Sequence, residues 1–303
     1  MMELDSVKLN FDTNGLLVLN ISLAVVMFGV ALGIRTSDFK ALFAKPKLIL
    51  VGLLSQFIVL PFLTFLLILI LKPGASLALG MILVAACPGG NISNFMSHLA
   101  KANTTLSISL TAFSTIICIF FTPLNLEIWG NLYGPSQEIL REIHLDFWQL
   151  FQTIILILGI PLVLGLLIRH YKNDLALRLS KILKPLSIII FVAIVLIAFS
   201  KNTEIFTGYI HFVLLLVLFH NSIAIGTGYF LGSVFKLDYK SKKTLAIETG
   251  IQNSGLGLIL IFTFFDGLGG MAILAAWWGI WHIVSGLCLS FYWARKDPSK
   301  ALL

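Results

Sequence analysis

The segment around Glu248 combines a carboxylate with amide and hydroxyl side chains inside an apolar stretch. It reads KTLAIETGIQNSGLGLILIF, and Glu248 is the only one of the 14 acidic residues that lies well inside such a stretch. Oxygen ligands of this kind suit a hard cation such as sodium. The glycines Gly250, Gly255 and Gly257 predict a broken helix whose freed carbonyls can bind an ion. The alternative is a helix start near the cytoplasmic surface, with a solvated Glu248.

A second stretch, CPGGNISN at 87–94, is interrupted in the same way. Pro88 lacks a backbone N–H donor, and Gly89 and Gly90 loosen a helix. The polar side chains that follow at once are Asn91, Ser93 and Asn94. Either interruption alone is typical of an ordinary kink, but two such breaks in one apolar chain predict a transport site.

Two further groups of polar residues can add oxygen ligands. In NTTLSISLTAFST, four hydroxyl side chains recur every three or four residues and line one helical face, namely Thr104, Ser107, Thr111 and Ser114. Gln56 is an isolated amide in the apolar sequence LLSQFIVLPF. Taken singly, the hydroxyls favour helix packing and Gln56 favours an interhelical hydrogen bond. Together with Glu248 they predict an oxygen-rich cage for a hard ion.

The elements that must position these residues are membrane-spanning helices. Of the 303 residues, 58% are hydrophobic and only 12% are charged, about half the share found in soluble domains. The apolar runs are long enough to cross a bilayer, and they are too long and too continuous for barrel strands. We therefore predict an all-α integral membrane protein with about nine transmembrane helices, at 15–34, 48–71, 75–98, 104–125, 147–168, 185–200, 208–235, 244–266 and 270–294.

The basic residues fall between these spans and determine the predicted orientation. Of the 21 Lys and Arg residues, all but four lie on one side of the membrane, and those four are Lys8, Lys72, Arg141 and Lys201. Positive charge concentrates in cytoplasmic loops. We therefore predict a multi-pass protein of the cell (inner or plasma) membrane, with its N-terminus outside and its C-terminus in the cytoplasm.

The longest outer connection, at 126–146, contains the turn-rich sequence GNLYGPSQE and separates four spans from five. The spans before and after it would run in opposite senses, as in an inverted-topology repeat. We predict a single transporter unit, 1–303, with repeats at 15–125 and 185–294 and a connecting helix at 147–168. The two broken helices are the third and eighth spans, which hold corresponding positions in the two halves.

The sequence argues against several other classes of function. The net charge of +7 does not indicate nucleic-acid binding, because the basic residues are dispersed among short loops. The cysteines Cys87, Cys118 and Cys288 lie in apolar runs, which indicates packing rather than a disulfide or metal framework. No hydrolase or phosphate-loop motif occurs, and Glu248 has no second deep acid beside it, so an enzyme is not expected. No Lys or Arg is expected to be buried, which leaves bound cations and helix ends to attract an anion.

Several ordered motifs resemble those of the bile acid:sodium symporter family. They are PGGNISN at 88–94, the pair Ser107 and Thr111, FHNSIA at 219–224, ETGIQNSG at 248–255 and WHIVSG at 281–286. The likeness extends over nearly the whole chain. It implies a panel domain and a core domain, with the two broken helices crossing in the core.

The resemblance also implies two sodium sites beside that crossing. One would use Ser93, Asn94, Ser107, Thr111 and Glu248. The other would use Gln56, Glu248 and Gln252, with the backbone carbonyls of Thr249 and Ile251. An organic anion, such as a bile salt or a small carboxylate, would bind near Asn91, Asn253 and His282. Familiar bacterial relatives carry Thr in place of Asn91 and Asn in place of Ile283, and both positions bear on the substrate.

The sequence thus predicts a sodium-coupled symporter that imports an organic anion by alternating access. Its expected partners are two Na⁺ ions, the anion and the lipid bilayer, and no obligate protein partner is evident. The alternative is a proton-coupled or uncoupled carrier or exporter of the same fold, because a lone buried acid can also be a proton site. The hydroxyl and amide cage favours sodium, since a proton needs no cage. A third alternative, a receptor or scaffold without transport, would be favoured by large soluble domains or long tails.

Overall fold

The computed structural model describes residues 46–143, 147–201 and 203–296, together with residue 5 and parts of 21–33. Most of the predicted first span, 15–34, and the tail after 296 therefore lie outside the described residues. Within the described residues every named element is a helix, which agrees with the predicted all-α class.

The described residues form helices α1 to α11. Their bounds are Pro46–Leu71 (α1, with a π-helical turn at Ser55–Val59), Ala75–Ala86 (α2), Ile92–Leu99 (α3), Thr104–Leu132 (α4), Gly134–Glu142 (α5), Phe147–Tyr171 (α6, with a π-helical turn at Ile155–Gly159), Asn173–Lys201 (α7), Thr203–Val234 (α8), Tyr239–Gly250 (α9), Ser254–Phe264 (α10) and Gly269–Arg295 (α11).

Five helical segments among the described residues are long and apolar enough to cross a membrane. They are α1, α4, α6, the Val213–Val234 part of α8, and α11. The shorter apolar helices α2 and α10 arise because the predicted spans 75–98 and 244–266 are each cut in two. The total of nine spans and the repeat remain predictions.

The wide turn in α1 has a local cause. Pro61 has no N–H to donate to the Phe57 carbonyl one turn earlier, so the α-helical ladder is interrupted. The Nδ2 of Asn125 in α4 donates to that carbonyl instead, at 3.1 Å. Gln56 lies within this π-helical turn, and turns of this kind are frequent at functional sites.

Both predicted interruptions are present in the structure. α2 ends at Ala86 and α3 begins at Ile92, with Pro88 between them. The second break separates the end of α9 at Gly250 from the start of α10 at Ser254. Each break frees backbone N–H and C=O groups that a continuous helix would satisfy.

The two breaks lie against each other and satisfy part of one another's backbone. The N–H of Gly90 donates to the Ile251 carbonyl at 2.7 Å, and the N–H of Asn253 donates to the Pro88 carbonyl at 2.8 Å. A short antiparallel bridge lies between these two bonds. Unpaired backbone groups are costly in an apolar setting, so this pairing holds the four half-helices at one point.

The short helix α2 is enclosed by protein. All 12 of its residues are buried, and it packs against α1, α4, α10 and α11. Gly80 allows a close approach to α11, because a Cβ there would lie 3.0 Å from the Met271 Cα. By contrast, α1 and α6 expose large apolar side chains such as Ile70 and Leu156, which fits a lipid-facing surface.

The outer connection differs from the prediction. α4 continues past the predicted end at 125 to Leu132, and α5 follows almost at once, so most of 126–146 is helical rather than a turn-rich loop. Pro135 occupies the first turn of α5, where its missing N–H has no helical partner to lose. Tyr133 alone separates α4 from α5, and its hydroxyl donates to the Pro73 carbonyl at 2.9 Å.

Lys243 also differs from the prediction. The prediction that every Lys and Arg lies in a connection between spans is wrong for Lys243, because this residue lies in α9 and is 1% exposed. Its Nζ donates to the Ala100 carbonyl at 2.6 Å, just past the end of α3, and lies 4.9 Å from the centre of the Tyr239 ring. A cation at a helix C-terminus is stabilised by unsatisfied carbonyls and by the helix dipole. The expectation of no buried Lys or Arg is therefore wrong.

Candidate functional site

Glu248 lies in the last turn of α9, and its side chain is fully buried. Asp238 is the N-cap of α9, because its carboxylate accepts a hydrogen bond from the N–H of Ser241 at 3.0 Å. From there α9 carries Glu248 directly to the break at Gly250. The alternative of a solvated Glu248 near the surface does not hold, and a buried carboxylate needs polar partners.

Three hydroxyl groups from two other helices donate to the Glu248 carboxylate. The Oγ of Ser93, in the first turn of α3, lies 2.5 Å from Oε1, and the Oγ of Ser107 in α4 donates to the same oxygen. The Oγ1 of Thr111, one turn further along α4, lies 3.3 Å from Oε1 and 3.2 Å from Oε2. Thr111 also contacts the Oδ1 of Asn94 at 3.4 Å. The structure thus brings together all members of the first predicted sodium set.

This first group has the chemistry of a cation site. A hydroxyl has one proton and two lone pairs, so it can donate to the carboxylate and still bind a cation through its oxygen. The carboxylate supplies negative charge in a setting that excludes water, where charge interactions are strong. Hard cations prefer such oxygen ligands.

Two buried amides form a second group at the end of α9. The Nε2 of Gln56 donates to the Glu248 carbonyl at 3.2 Å, and the Nε2 of Gln252 donates to the Thr249 carbonyl at 2.9 Å. Within the described structure, the Oε1 of each amide is buried and has no hydrogen-bond partner. Buried unpaired acceptors are rare, and a bound cation would satisfy both oxygens. Gln56 and Gln252 both belong to the second predicted sodium set.

The two backbone carbonyls of that set already accept hydrogen bonds. The Thr249 carbonyl accepts from Gln252, and the Ile251 carbonyl accepts from Gly90. A carbonyl oxygen has a second lone pair, so either group can still bind a cation. Sequence reasoning missed Ser55, whose Oγ lies 2.7 Å from the Oγ1 of Thr249 and joins α1 to α9.

Gly89 brings the first break close to the carboxylate. A Cβ at this position would lie 2.9 Å from the Oε2 of Glu248 and 3.2 Å from the Nε2 of Gln56. Its φ is outside the left-handed region, so the lack of a side chain matters here for space rather than for backbone conformation. The sequence pattern indicated only that Gly89 loosens a helix.

The three predicted substrate residues belong to three different elements. Asn91 is exposed and lies just before α3, while the Oδ1 of Asn253 caps α10 by accepting the N–H of Leu256 at 3.1 Å. Both therefore stand at N-terminal ends of half-helices, where the positive end of the helix dipole favours an anion. His282 is buried in α11, and the contacts described for it include neither asparagine.

Asn221 in α8 contacts the break, although the sequence pattern did not assign it to the site. Its Nδ2 donates to the Gly250 carbonyl at 2.7 Å, and its Oδ1 accepts from the Oγ of Ser285 in α11, also at 2.7 Å. The side chain is buried. The signals in the sequence are a polar pair, His220 and Asn221, inside an apolar run, and the place of this pair in the motif FHNSIA.

Known proteins resemble this chain over most of its length. Residues 20–209 match the Sodium Bile acid symporter family. The chain is 34% identical over 282 residues to the uncharacterized sodium-dependent transporter YocS of Bacillus subtilis (strain 168). The aligned region covers 93% of this chain and 84% of that protein. The chain is 30% identical over 283 residues to the probable chloroplastic sodium/metabolite cotransporter BASS1 of Oryza sativa subsp. japonica, covering 92% of this chain and 66% of that protein. It is also 30% identical over 234 residues to sodium/bile acid cotransporter 4 of Mus musculus, covering 77% of this chain and 52% of that protein.

Proposed function

This chain belongs to the Sodium Bile acid symporter family, and we propose that it imports an organic anion together with sodium. The family and these relatives are sodium-dependent transporters rather than enzymes. The observation that carries the proposal is the buried Glu248 carboxylate, which accepts hydrogen bonds from Ser93, Ser107 and Thr111. One negative charge among neutral oxygen ligands suits sodium.

The proposal includes two sodium ions that share Glu248. The hydroxyl oxygens of Ser93, Ser107 and Thr111 would bind one ion together with Glu248. The side chain of Asn94 would complete this site. The unpartnered amide oxygens of Gln56 and Gln252 support the second, with the Thr249 and Ile251 carbonyls completing it. Two cations beside one carboxylate leave a net positive charge, which would attract an anionic substrate.

The substrate is proposed to bind beside the two breaks. Asn91 and Asn253 stand at the starts of α3 and α10, whose N-terminal ends carry partial positive charge. His282 would contribute from α11. The expected substrate class is an organic anion such as a bile salt or a small carboxylate, and the relatives' names, metabolite and bile acid cotransporter, support that class.

Transport is proposed to follow an alternating-access cycle between two inverted repeats. The repeats would be 15–125 and 185–294, with 147–168 as the connecting helix. The support is the matching position of the two broken helices, whose breaks are joined by backbone hydrogen bonds. Bound sodium and substrate would change how the half-helices are held at that joint.

The test is the affinity of an organic anion in different salts. A panel of organic anions is first screened for thermal stabilisation of the purified protein, with and without sodium. Binding of an anion that stabilises it is then measured by calorimetry in sodium, potassium and choline at equal ionic strength. Sodium should raise the affinity for the anion, and the anion must raise the affinity for sodium by the same factor.

Uptake into proteoliposomes separates the remaining alternatives. Two sodium ions with a monovalent anion carry one net positive charge inward, and moving one charge through 100 mV is worth about 2.3 kcal/mol. A potential that is negative inside should therefore accelerate sodium-driven uptake. Equal affinity in all three salts would contradict sodium coupling and favour an uncoupled carrier. Uptake driven by a pH gradient but not by a sodium gradient would favour proton coupling.

A further inference from the structure

The C-terminal end of α9 has its last carbonyls satisfied one by one from different parts of the fold. A helix leaves its final carbonyls without partners within the helix, and in an apolar setting each needs another donor. The Glu248 carbonyl accepts from the Nε2 of Gln56 at 3.2 Å, and the Thr249 carbonyl accepts from the Nε2 of Gln252 at 2.9 Å. The Gly250 carbonyl accepts from the Nδ2 of Asn221 at 2.7 Å, and the Ile251 carbonyl accepts from the N–H of Gly90, also at 2.7 Å.

Asn221 differs from the other two amides in this set. Gln56 and Gln252 use only their Nε2 groups, and their Oε1 atoms have no partner within the described structure. Asn221 uses both ends, because its Oδ1 accepts from the Oγ of Ser285. A side chain bonded at both ends has one orientation, whereas the two glutamines have oxygens to spare for a ligand. This contrast indicates that Asn221 holds the helix end rather than a ligand.

The helix that carries Asn221 packs directly on the end of α9. A Cβ on Gly250 would overlap the side chain of Ile225, and a Cβ on Gly228 would overlap the backbone of Leu245. The same hypothetical atom on Gly228 would lie 2.7 Å from the Cα of Ala246. The backbones of α8 and α9 are therefore in direct contact at Gly228, and α8 packs tightly against the last two turns of α9.

We propose that Asn221, held by Ser285, is a positioning residue that fixes the Gly250 carbonyl and thereby orients the ion-binding carbonyls on either side of it. Gly250 lies between Thr249 and Ile251, and a glycine has more φ/ψ freedom than any other residue, so the hydrogen bond from Asn221 restricts the directions that the flanking carbonyls can take. The hydrogen bonds therefore link α8 and α11 to the proposed second sodium site. The inference rests on the proposed sodium coupling.

Loss of the Asn221 donor leaves a buried carbonyl without a partner at the point where α9 ends. Without this bond the Gly250 peptide group would no longer be fixed, and the flanking chain that carries the Thr249 and Ile251 carbonyls would sample other conformations. Sodium binding would weaken, because cation sites depend on ligand direction and not only on ligand identity. Loss of the Ser285 hydroxyl has a smaller effect, because the Asn221 amide stays in place but is free to rotate.

The experiment compares Asn221→Leu, Ser285→Ala and Ser285→Thr with the unmodified protein. Asn221→Leu keeps the branched shape and the number of heavy atoms and removes both hydrogen-bonding ends, while Ser285→Thr keeps the hydroxyl. The matched control is Thr227→Val, which lies in the same helix as Asn221 and removes a buried hydroxyl bonded only to its own helix, at the Ile223 carbonyl. The measurement is the sodium concentration that gives half of the sodium-induced thermal stabilisation, with each variant's melting temperature in choline as its own baseline.

Asn221→Leu should raise this midpoint about tenfold, which corresponds to a loss of about 1.4 kcal/mol of sodium-binding free energy. Ser285→Ala should raise it by a smaller factor, and Ser285→Thr and Thr227→Val should leave it unchanged. A wild-type midpoint in Asn221→Leu, with only the choline melting temperature lowered, would assign Asn221 a purely structural role and overturn the inference. If Asn221→Leu does not fold, Ser285→Ala decides, and a wild-type midpoint there overturns it as well. An unmodified protein that sodium does not stabilise would instead contradict the proposed function, and this inference with it.

Discussion

The Oγ of Ser93 lies 2.5 Å from the Oε1 of Glu248, although 155 residues separate the two in the sequence. Ser93 stands in the first turn of α3 and Glu248 in the last turn of α9, so the bond joins two half-helices at their breaks. Both side chains are fully buried. A sodium ion at the proposed site would share the carboxylate with the hydroxyl, so ion binding would be coupled to the fit of the two half-helices.

We predict that Glu248→Gln folds but is no longer stabilised by sodium. The amide keeps the shape of the carboxylate and removes the negative charge that two cations would share. A ligand present at a hundredfold excess over its dissociation constant stabilises a protein by about 2.7 kcal/mol, and this increment should be absent. The measurement is the difference in melting temperature between sodium and choline at equal ionic strength.

The matched control for that variant is Glu127→Gln, because Glu127 is an exposed acid in α4. It should keep the full sodium effect. A Glu248→Gln protein that shows the same sodium-induced shift as the unmodified protein would place the sodium site elsewhere in the chain.

We predict that Asp238→Ala destabilises the start of α9 and that this effect depends on pH. Partial burial raises the pKa of Asp238, but hydrogen bonds from the hydroxyl and the N–H of Ser241 outweigh burial and hold the pKa below its ordinary value of 3.8. An acid with a depressed folded-state pKa stabilises the protein above its unfolded-state pKa and loses that contribution as the pH falls through the folded-state pKa. At pH 7 the substitution should cost about 0.5–2 kcal/mol, as for other helix caps.

The difference in melting temperature between Asp238→Ala and the unmodified protein should shrink as the pH falls from neutral to below 3.8. Asp238→Ser is the control, since serine also caps helices but does not titrate there. It should retain most of the stability and show no loss over the same interval. A difference that stays constant with pH would mean that the carboxylate charge contributes nothing to the cap.

Local features of the sequence were sufficient to predict the two breaks. Pro88 lacks an N–H, and the glycines beside it and near Gly250 weaken a helix wherever they stand, so no knowledge of packing was needed. Glu248 was found because a single acid in an apolar run requires partners. The hydroxyl face of α4 followed from helical spacing, which brings Ser107 and Thr111 to the same side.

The contacts between distant helices could not be predicted in this way. The bonds of Asn221 to Gly250 and of Ser55 to Thr249 depend on how neighbouring helices are rotated and translated, which a single sequence pattern does not determine. Lys243 was misplaced because a charge count treats every lysine as solvated, whereas the end of α3 offers this one a carbonyl partner. These residues were found only when the helices were seen together.

The predicted orientation can be tested with single cysteines. Gly134 is exposed at the start of α5, and a Cβ there meets nothing within 4 Å, so Gly134→Cys should be harmless. Because Cys288 is exposed and Cys87 and Cys118 are buried, the background carries Cys288→Ala. A membrane-impermeant maleimide added to intact cells should label Gly134→Cys and not Lys240→Cys, whose lysine is exposed on the predicted cytoplasmic side. The reverse labelling pattern would overturn the orientation inferred from the charge bias.

We predict that Gly89→Ala weakens sodium binding without preventing folding. The new methyl group would lie 2.9 Å from the Oε2 of Glu248 and 3.2 Å from the Nε2 of Gln56, so one of these side chains must move. The carboxylate is held by hydroxyls from α3 and α4, and it cannot move without lengthening those bonds. Overpacking of this kind costs about 1–3 kcal/mol, and the same cost in sodium-binding free energy would raise the sodium midpoint by about 5- to 150-fold.

The backbone at Gly89 does not require a glycine conformation, so alanine should be tolerated there apart from this contact. Gly257→Ala is the matched control, since Gly257 lies just past the second break and a Cβ there would meet only the Sγ of Cys87, at 3.7 Å, an ordinary contact. It should leave the sodium midpoint unchanged, and as an alanine within α10 it should raise the melting temperature slightly. The same titration of melting temperature against sodium concentration measures both variants. Equal midpoints for Gly89→Ala and Gly257→Ala would mean that the Glu248 carboxylate can move freely, and the proposed ion cage would then not be built around its present position.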